Sequence, residues 1–214
     1  MVNAYGTTSR RVAEALREEI LTGRMPPGAR IRQEHIAEEL GASRVPVREA
    51  LRILEADGLV TLVANTGAWV AELSDAECHE IYHIRERVEP LLLRFAAAGL
   101  GEAEIAEMDR LARRMEKSKD VEGFLRLDRE FHLFSYRPAE TRMLGDLVAR
   151  LWNTTQHYRR AYVQRLDDRA RRVVNDEHHM LVESLRNGDV AGAERVLEGH
   201  IRRTRIALLN RERS

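Results

Sequence analysis

Cysteine is almost missing from this chain, and so is any surplus of charge. Cys78 is the single cysteine in 214 residues. It rules out an internal disulfide, fits a cytoplasmic protein, and reads as a partly buried helix residue rather than a reactive thiol. No apolar run approaches the ~20 residues of a membrane-spanning helix, and no secretory leader is legible at the start. Neither a membrane partner nor export is therefore expected. The 35 basic side chains are matched by 35 acidic ones, and only Lys117 and Lys119 among the basic ones are lysines. A strongly basic nucleic-acid binder is excluded on totals, so any DNA-facing patch must come from arrangement. No repeat and no low-complexity segment appears. With 43% hydrophobic residues, the chain can fill one large or two modest domains.

What is present begins with GASRVPVREALRILEADGLV, residues 41–60. Gly41 ends a short amphipathic pattern, and Ser43 stands at the cap of a new helix. Arg44 and Arg48 lie one turn apart on one face, while Val47, Leu51 and Leu54 form the buried stripe. A packed back and an arginine-bearing front are the marks of a helix-turn-helix whose second helix enters a major groove. Residues 8–23 read as a preceding helix with Val12, Leu16 and Ile20 on one face. Pro26-Pro27-Gly28 is a turn, and residues 33–40 form the short first helix of the motif. Leu59–Val63 and Ala68–Ala71 flank Ala64-Asn65-Thr66-Gly67, a turn rich in residues that tolerate positive φ. Three helices and a hairpin predict a winged helix over residues 1–73.

From Leu73 onward the pattern is helical throughout. Predicted helices run over 75–98, 102–117, 121–135, 140–165, 168–187 and 189–211, with Ser74-Asp75 capping the first and Pro90 placed to kink or split it. Residues 74–214 thus form an all-α second domain, and the fold class is mainly α: a winged helix-turn-helix plus a helical bundle. This domain carries polar residues that core packing does not require. Asp128 and His132 share a helix face, and His178, His179 and His200 lie mid-helix. One carboxylate and three imidazoles on converging helices suit a first-row divalent metal. The alternative is a set of solvated or singly hydrogen-bonded histidines.

The series ILTGRMPPGARI, IAEELGASRVPVREALRILEADGLV and NTGAWV resembles the DNA-binding domain of GntR-type bacterial repressors over about residues 8–73. Val45 stands where that family usually has Thr, and Ile31 and Ile36 where it has Leu. The later part, residues 75–210, is similar to the FCD effector domain of FadR-type members. The resemblance implies a metal held by Asp128, His132, His178 and His200, with His178 rather than His179 as the ligand. Zinc is the first choice, with nickel, manganese or iron as substitutes. It also points to Arg85 as an anchor for an effector carboxylate, against the plainer reading of an intrahelical pair with Glu89. Asn153 and His157, one turn apart on one predicted helix, are candidates to line the same cavity. Ser135-Tyr136-Arg137-Pro138 departs from the family's small-residue turn at this point.

The resulting expectation is a ligand-responsive repressor that binds a palindromic operator as a homodimer. Arg44 and Arg48 contact bases or phosphates, helped by Gln33, Ser43, Asn65, Thr66 and Gly67, and a small organic acid is the effector. Two rivals remain. One is a sensor of the metal ion itself. The other is a metal-dependent hydrolase, which lacks an evident general base and would leave the helix-turn-helix without a purpose.

Overall fold

The computed structural model describes residues 4–209. Packing divides the chain into two compact units, Met1–Leu73 and Ser74–Ser214. The first contains α1 (Ala4–Leu21), β1 (Arg30–Ile31), α2 (Gln33–Glu39), α3 (Arg44–Ala56), β2 (Val60–Val63) and β3 (Gly67–Val70). Its core joins Val12 and Leu16 of α1, Ile36 of α2, and Val47, Ala50, Leu51 and Leu54 of α3. Leu59, Val60, Ala68 and Val70 close it from the hairpin side. Each such Leu or Val contributes about 1.5–3 kcal/mol on burial, and this stripe is what turns Arg44 and Arg48 outward. Ser43 occupies the N-cap of α3 with extended backbone but makes no side-chain cap bond.

The sheet is antiparallel in the order β1-β3-β2, with Ile31 opposite Ala68 and Val63 opposite Gly67. Strand β1 is too short for alternation to reveal it. It forms because the Pro26–Gly28 turn brings the chain beside β3, where Gly28 N–H donates to Val70 O and Val70 N–H to Ala29 O. The wing turns at Asn65, with φ 59°, and Gly67, with φ 141°. Both values belong to the region that Asn and Gly tolerate best.

The second unit is all helix among the described residues: α4 (Asp75–Ala97), α5 (Glu102–Lys117), α6 (Val121–Tyr136), α7 (Arg142–Thr154), α8 (Gln156–Val163), α9 (Asp168–Arg186) and α10 (Val190–Leu209). Helix α4 packs along α10, and α5 lies against α6 and α9. Ser74 opens α4 through a capping box: its hydroxyl accepts from Glu77 N–H, and Glu77 accepts from Ser74 N–H. Pro90 lies inside α4 without ending it. No described helix is long and apolar enough to cross a membrane.

One predicted helix is two. The span 140–165 divides at Thr155, whose backbone (φ −95°, ψ 1°) leaves the helical region. Thr154 and Thr155 both turn their hydroxyls back to Leu151 O, a local bond that competes with helix continuation. Asn153 and His157 therefore sit on different helices rather than one turn apart on the same one.

Candidate functional site

In the second unit, Asp128 and His132 lie one turn apart on α6, His178 comes from α9 and His200 from α10. One ligand atom from each lies within 4.8 Å of all the others, the one such group of three or more among the described residues. His132 Nε2 is 3.2 Å from His178 Nε2. Asp128 Oδ1 is 3.2 Å from His178 Nε2 and 3.7 Å from His132 Nε2. Metal–ligand bonds of about 2.1 Å place tetrahedral ligands about 3.4 Å apart, so these edges match the donor spacing of a first-row ion. His178 is 1% exposed, whereas its neighbour His179 is 35% exposed at the side chain and faces Glu116 and Asp109 on α5. The two adjacent imidazoles thus point to different places.

The electrostatics suit a ligand set. Burial holds His132 well below the usual histidine pKa and lowers His178 too, against the pull of Asp128. Neutral imidazole is the ligating form. Burial would raise Asp128, but the Arg159 guanidinium and the histidines hold it well below the usual carboxylate range. His200 is oriented from behind: its Nδ1 is 2.9 Å from Glu177 Oε2, and Arg203 Nε donates to Glu177 Oε1 at 2.8 Å. A carboxylate behind a ligating histidine fixes its tautomer and raises its basicity. His132 Nδ1 and His178 Nδ1 have no such partner among the described residues.

Beside this cluster lies a cavity of about 30 Å³ lined by Tyr82, Arg85, Phe124, Asp128, His132, Trp152, Arg159, Tyr162, Val163, Val174, His200, Ile201 and Thr204. One wall is a stack. Arg85 lies 4.9 Å from the Tyr82 ring centroid and 4.6 Å from that of Trp152, and Arg159 lies 3.9 Å from the Trp152 centroid. Arg159 donates to Asp128 Oδ2 and to Gln156 Oε1. Arg85 donates through Nε to Glu89 and through Nη1 to Thr155 Oγ1. Burial works against the Arg85 charge, but Glu89 outweighs it and raises the pKa. Both readings of Arg85 therefore have structural content: it is paired with Glu89, and it lines the cavity.

Asn153 and His157 are placed elsewhere, which corrects the expectation for them. Asn153 accepts from Arg129, and His157 is exposed beside Tyr158. Neither is a lining residue. The sequence reading missed Arg159 and Tyr82. Nothing local separates Arg159 from the other arginines. Tyr82 carried a signal, because Cys78, Tyr82, Arg85 and Glu89 share one helical stripe and all four are buried.

In the first unit, a groove of about 1050 Å³ runs between α3 and the wing. Gln33, Arg44, Arg48, Asn65, Thr66 and Gly67 line it, and Ser43 does not. Arg30, Arg32 and Arg52 line it as well and had not been singled out. Val45, 62% exposed, adds an apolar side chain to its lining. Arg30 spans the groove edge by donating to Thr66 O and lying over Trp69, and Arg44 faces Glu34 at 3.6 Å. Arrangement thus supplies the cationic surface that the overall charge balance does not.

Comparison with known proteins now adds to this geometry. Residues 8–70 match the model for bacterial regulatory proteins of the gntR family, and residues 80–203 match the FCD domain. An HTH-type transcriptional regulator in an unstable DNA locus of Streptomyces ambofaciens is 31% identical, over 94% of this chain and 86% of its own length. A probable D-xylose utilization operon transcriptional repressor of Paenarthrobacter nicotinovorans is 30% identical, over 91% of this chain and 86% of its own. Among solved structures, E. coli McbR/YncC has the same fold, with a TM-score of 0.83 at 24% identity and complete coverage of both chains. A GntR regulator from Rhodococcus sp. RHA1 superposes with a TM-score of 0.78 at 26% identity, covering 96% of this chain and 99% of that one.

Proposed function

The chain belongs to the gntR family of bacterial regulatory proteins and carries an FCD domain; from that premise we propose a repressor that binds a palindromic operator as a homodimer and is released or retained by a small carboxylate held at a metal centre. It is a transcriptional regulator and not an enzyme, as its relatives are. The observation that carries the finer reading is the convergence of Asp128, His132, His178 and His200 beside a cavity walled by two buried arginines.

The residues divide the work. Arg44 and Arg48 enter the major groove from α3, while Gln33 and the Asn65–Gly67 wing hold phosphates or the minor groove. Asp128 and the three histidines hold a divalent ion, zinc first on an oxygen-plus-three-nitrogen donor set. When bound, that ion supplies a Lewis-acidic seat for carboxylate oxygens. Arg85 with Glu89 and Arg159 with Asp128 already cancel in pairs, so a divalent cation leaves uncompensated positive charge in a buried region. An anionic effector offsets it. Arg159 faces the cavity as the cation beside Asp128. Arg85, paired with Glu89 and bonded to Thr155, contributes a second fixed charge.

Arg44→Ala and Arg48→Ala are expected to fold normally and to weaken operator binding by about 1–3 kcal/mol each where the arginine reads a base. Gel shifts on operator and scrambled DNA measure this, and unchanged operator affinity in both variants removes α3 as the reading element. Adding a carboxylate to the metal-loaded protein should change operator affinity. A change on chelation and metal re-addition alone would instead indicate a metal sensor.

One winged helix covers one half-site, so two copies are expected on a palindrome. Leu91 and Phe95 leave 41% and 53% of their surfaces exposed along α4. Sedimentation at micromolar concentration without DNA should give a dimer, and a stable monomer would count against preassembly.

A further inference from the structure

We propose that the Tyr82 hydroxyl is the specificity-determining donor of the effector cavity, selecting short carboxylates that carry a second oxygen over those that carry a methyl group in its place. This rests on the proposed carboxylate site and adds a residue and a chemical class to it.

Three observations meet at Tyr82. Its side chain lines the cavity beside the four-residue cluster. It is 1% exposed, and its hydroxyl has no hydrogen-bond partner among the described residues. Its ring is held in place by Arg85, 4.9 Å from the centroid, itself fixed by Glu89 and Thr155. A buried hydroxyl left without a partner is costly. On a rigidly held residue that lines a cavity, it is a group in wait of an acceptor. Burial raises the phenol to about 12, so it stays protonated and able to donate.

The other polar cavity groups are otherwise occupied. Arg159 is engaged by Asp128 and Gln156, Arg85 by Glu89 and Thr155, Thr204 donates to His200 O, and the second phenol of the lining, Tyr162, is hydrogen-bonded to Thr204. The remaining lining is largely apolar: Phe124, Trp152, Val163, Val174 and Ile201. A carboxylate directed at the ion places the rest of a short ligand against these walls, and Tyr82 is the donor left to read it. The cavity is small, about 30 Å³, so the ligand is short. A site built to bond an oxygen rejects the analogue lacking it, because its own buried donor is then left unpaired.

The test uses glycolate and propionate, which have nearly the same shape and differ by a hydroxyl in place of a methyl. Isothermal titration calorimetry on the zinc-loaded full chain gives both affinities for wild type and Tyr82→Phe. Glycolate can also reach the ion with its second oxygen, so the readout is the glycolate-to-propionate affinity ratio in wild type divided by that in the variant. The expected quotient is at least tenfold, with propionate affinity and zinc content unchanged in Tyr82→Phe. The melting temperature of the metal-free variant should be unchanged or higher, since the substitution removes an unpaired buried group. A quotient near one, with both acids bound by wild type, overturns the role of Tyr82 and leaves the carboxylate site standing. Binding of neither acid by zinc-loaded wild type overturns the carboxylate site and this inference with it.

Discussion

Chelating the proposed metal ion from the full chain is expected to lower the melting temperature of the helical unit by on the order of 10 °C. An ion bound only by the native state adds RT ln(1 + [M]/Kd), about 4 kcal/mol at a thousandfold excess over Kd. A chain of this size moves by roughly 2–4 °C per kcal/mol. The ion would tie α6, α9 and α10 together, segments far apart in sequence, and folding and binding are then one equilibrium. His132→Ala and His178→Ala should remove most of the metal-dependent shift. His179→Ala should preserve it, because that imidazole faces Asp109 and Glu116 rather than the cluster. The quantity to compare is the difference between metal-loaded and chelated melting temperatures within each variant, so that any intrinsic cost of the alanine cancels. Loss in His179→Ala with retention in His178→Ala would reverse the assignment of the pair. A normal shift in all three variants would return these histidines to a purely structural role.

The parts of this molecule that could be read in advance are those written in local chemistry. Helix α5 spans Glu102–Lys117, the predicted 102–117, because Gly99-Leu100-Gly101 and Ser118-Lys119-Asp120 punctuate both ends. The wing followed from Asn65 and Gly67 for the same reason. The division of α7 from α8 could not be seen, since Trp152-Asn153-Thr154-Thr155-Gln156 contains no Gly or Pro. The break depends on threonine hydroxyls bonding back to Leu151 O and on Arg85 reaching Thr155 from α4, which is tertiary information. That error carried Asn153 and His157 into the expected site. Within the cluster, helical spacing put Asp128 and His132 on one face, but choosing His178 over His179 took the family resemblance. Arg159 and Tyr82 act through their surroundings, a carboxylate on α6 and an unsatisfied hydroxyl beside a cavity, and no single-helix pattern encodes either.

Removing the Glu89 carboxylate is the substitution expected to cost the fold most. Glu89 is fully buried and serves three donors: Arg85 Nε, Tyr136 Oη at 2.8 Å and Trp152 Nε1 at 3.0 Å. Glu89→Leu would leave the Arg85 charge buried without its counter-ion and two aromatic donors without an acceptor. Breaking a buried pair from one side costs about 3–5 kcal/mol, whereas replacing both partners with apolar groups is often close to neutral. Thermal or urea unfolding should therefore rank Glu89→Leu as strongly destabilised and the double variant Arg85→Leu, Glu89→Leu as less so, despite carrying one more substitution. The two orphaned aromatic donors keep the double variant below wild type. A Glu89→Leu protein within about 1 kcal/mol of wild type would mean that the Arg85–Glu89 pair is not what holds this region together. The consequence reaches the proposed site, because both Arg85 and Arg159 lie over the Trp152 ring. A carboxylate that fixes Arg85 and Trp152 also fixes the surface on which Arg159 lies. Glu89 touches no ligand in this scheme, yet its loss should weaken carboxylate binding in whatever fraction of the protein remains folded. Glu89→Gln, which keeps an acceptor oxygen and the shape, should retain more of that binding than Glu89→Leu.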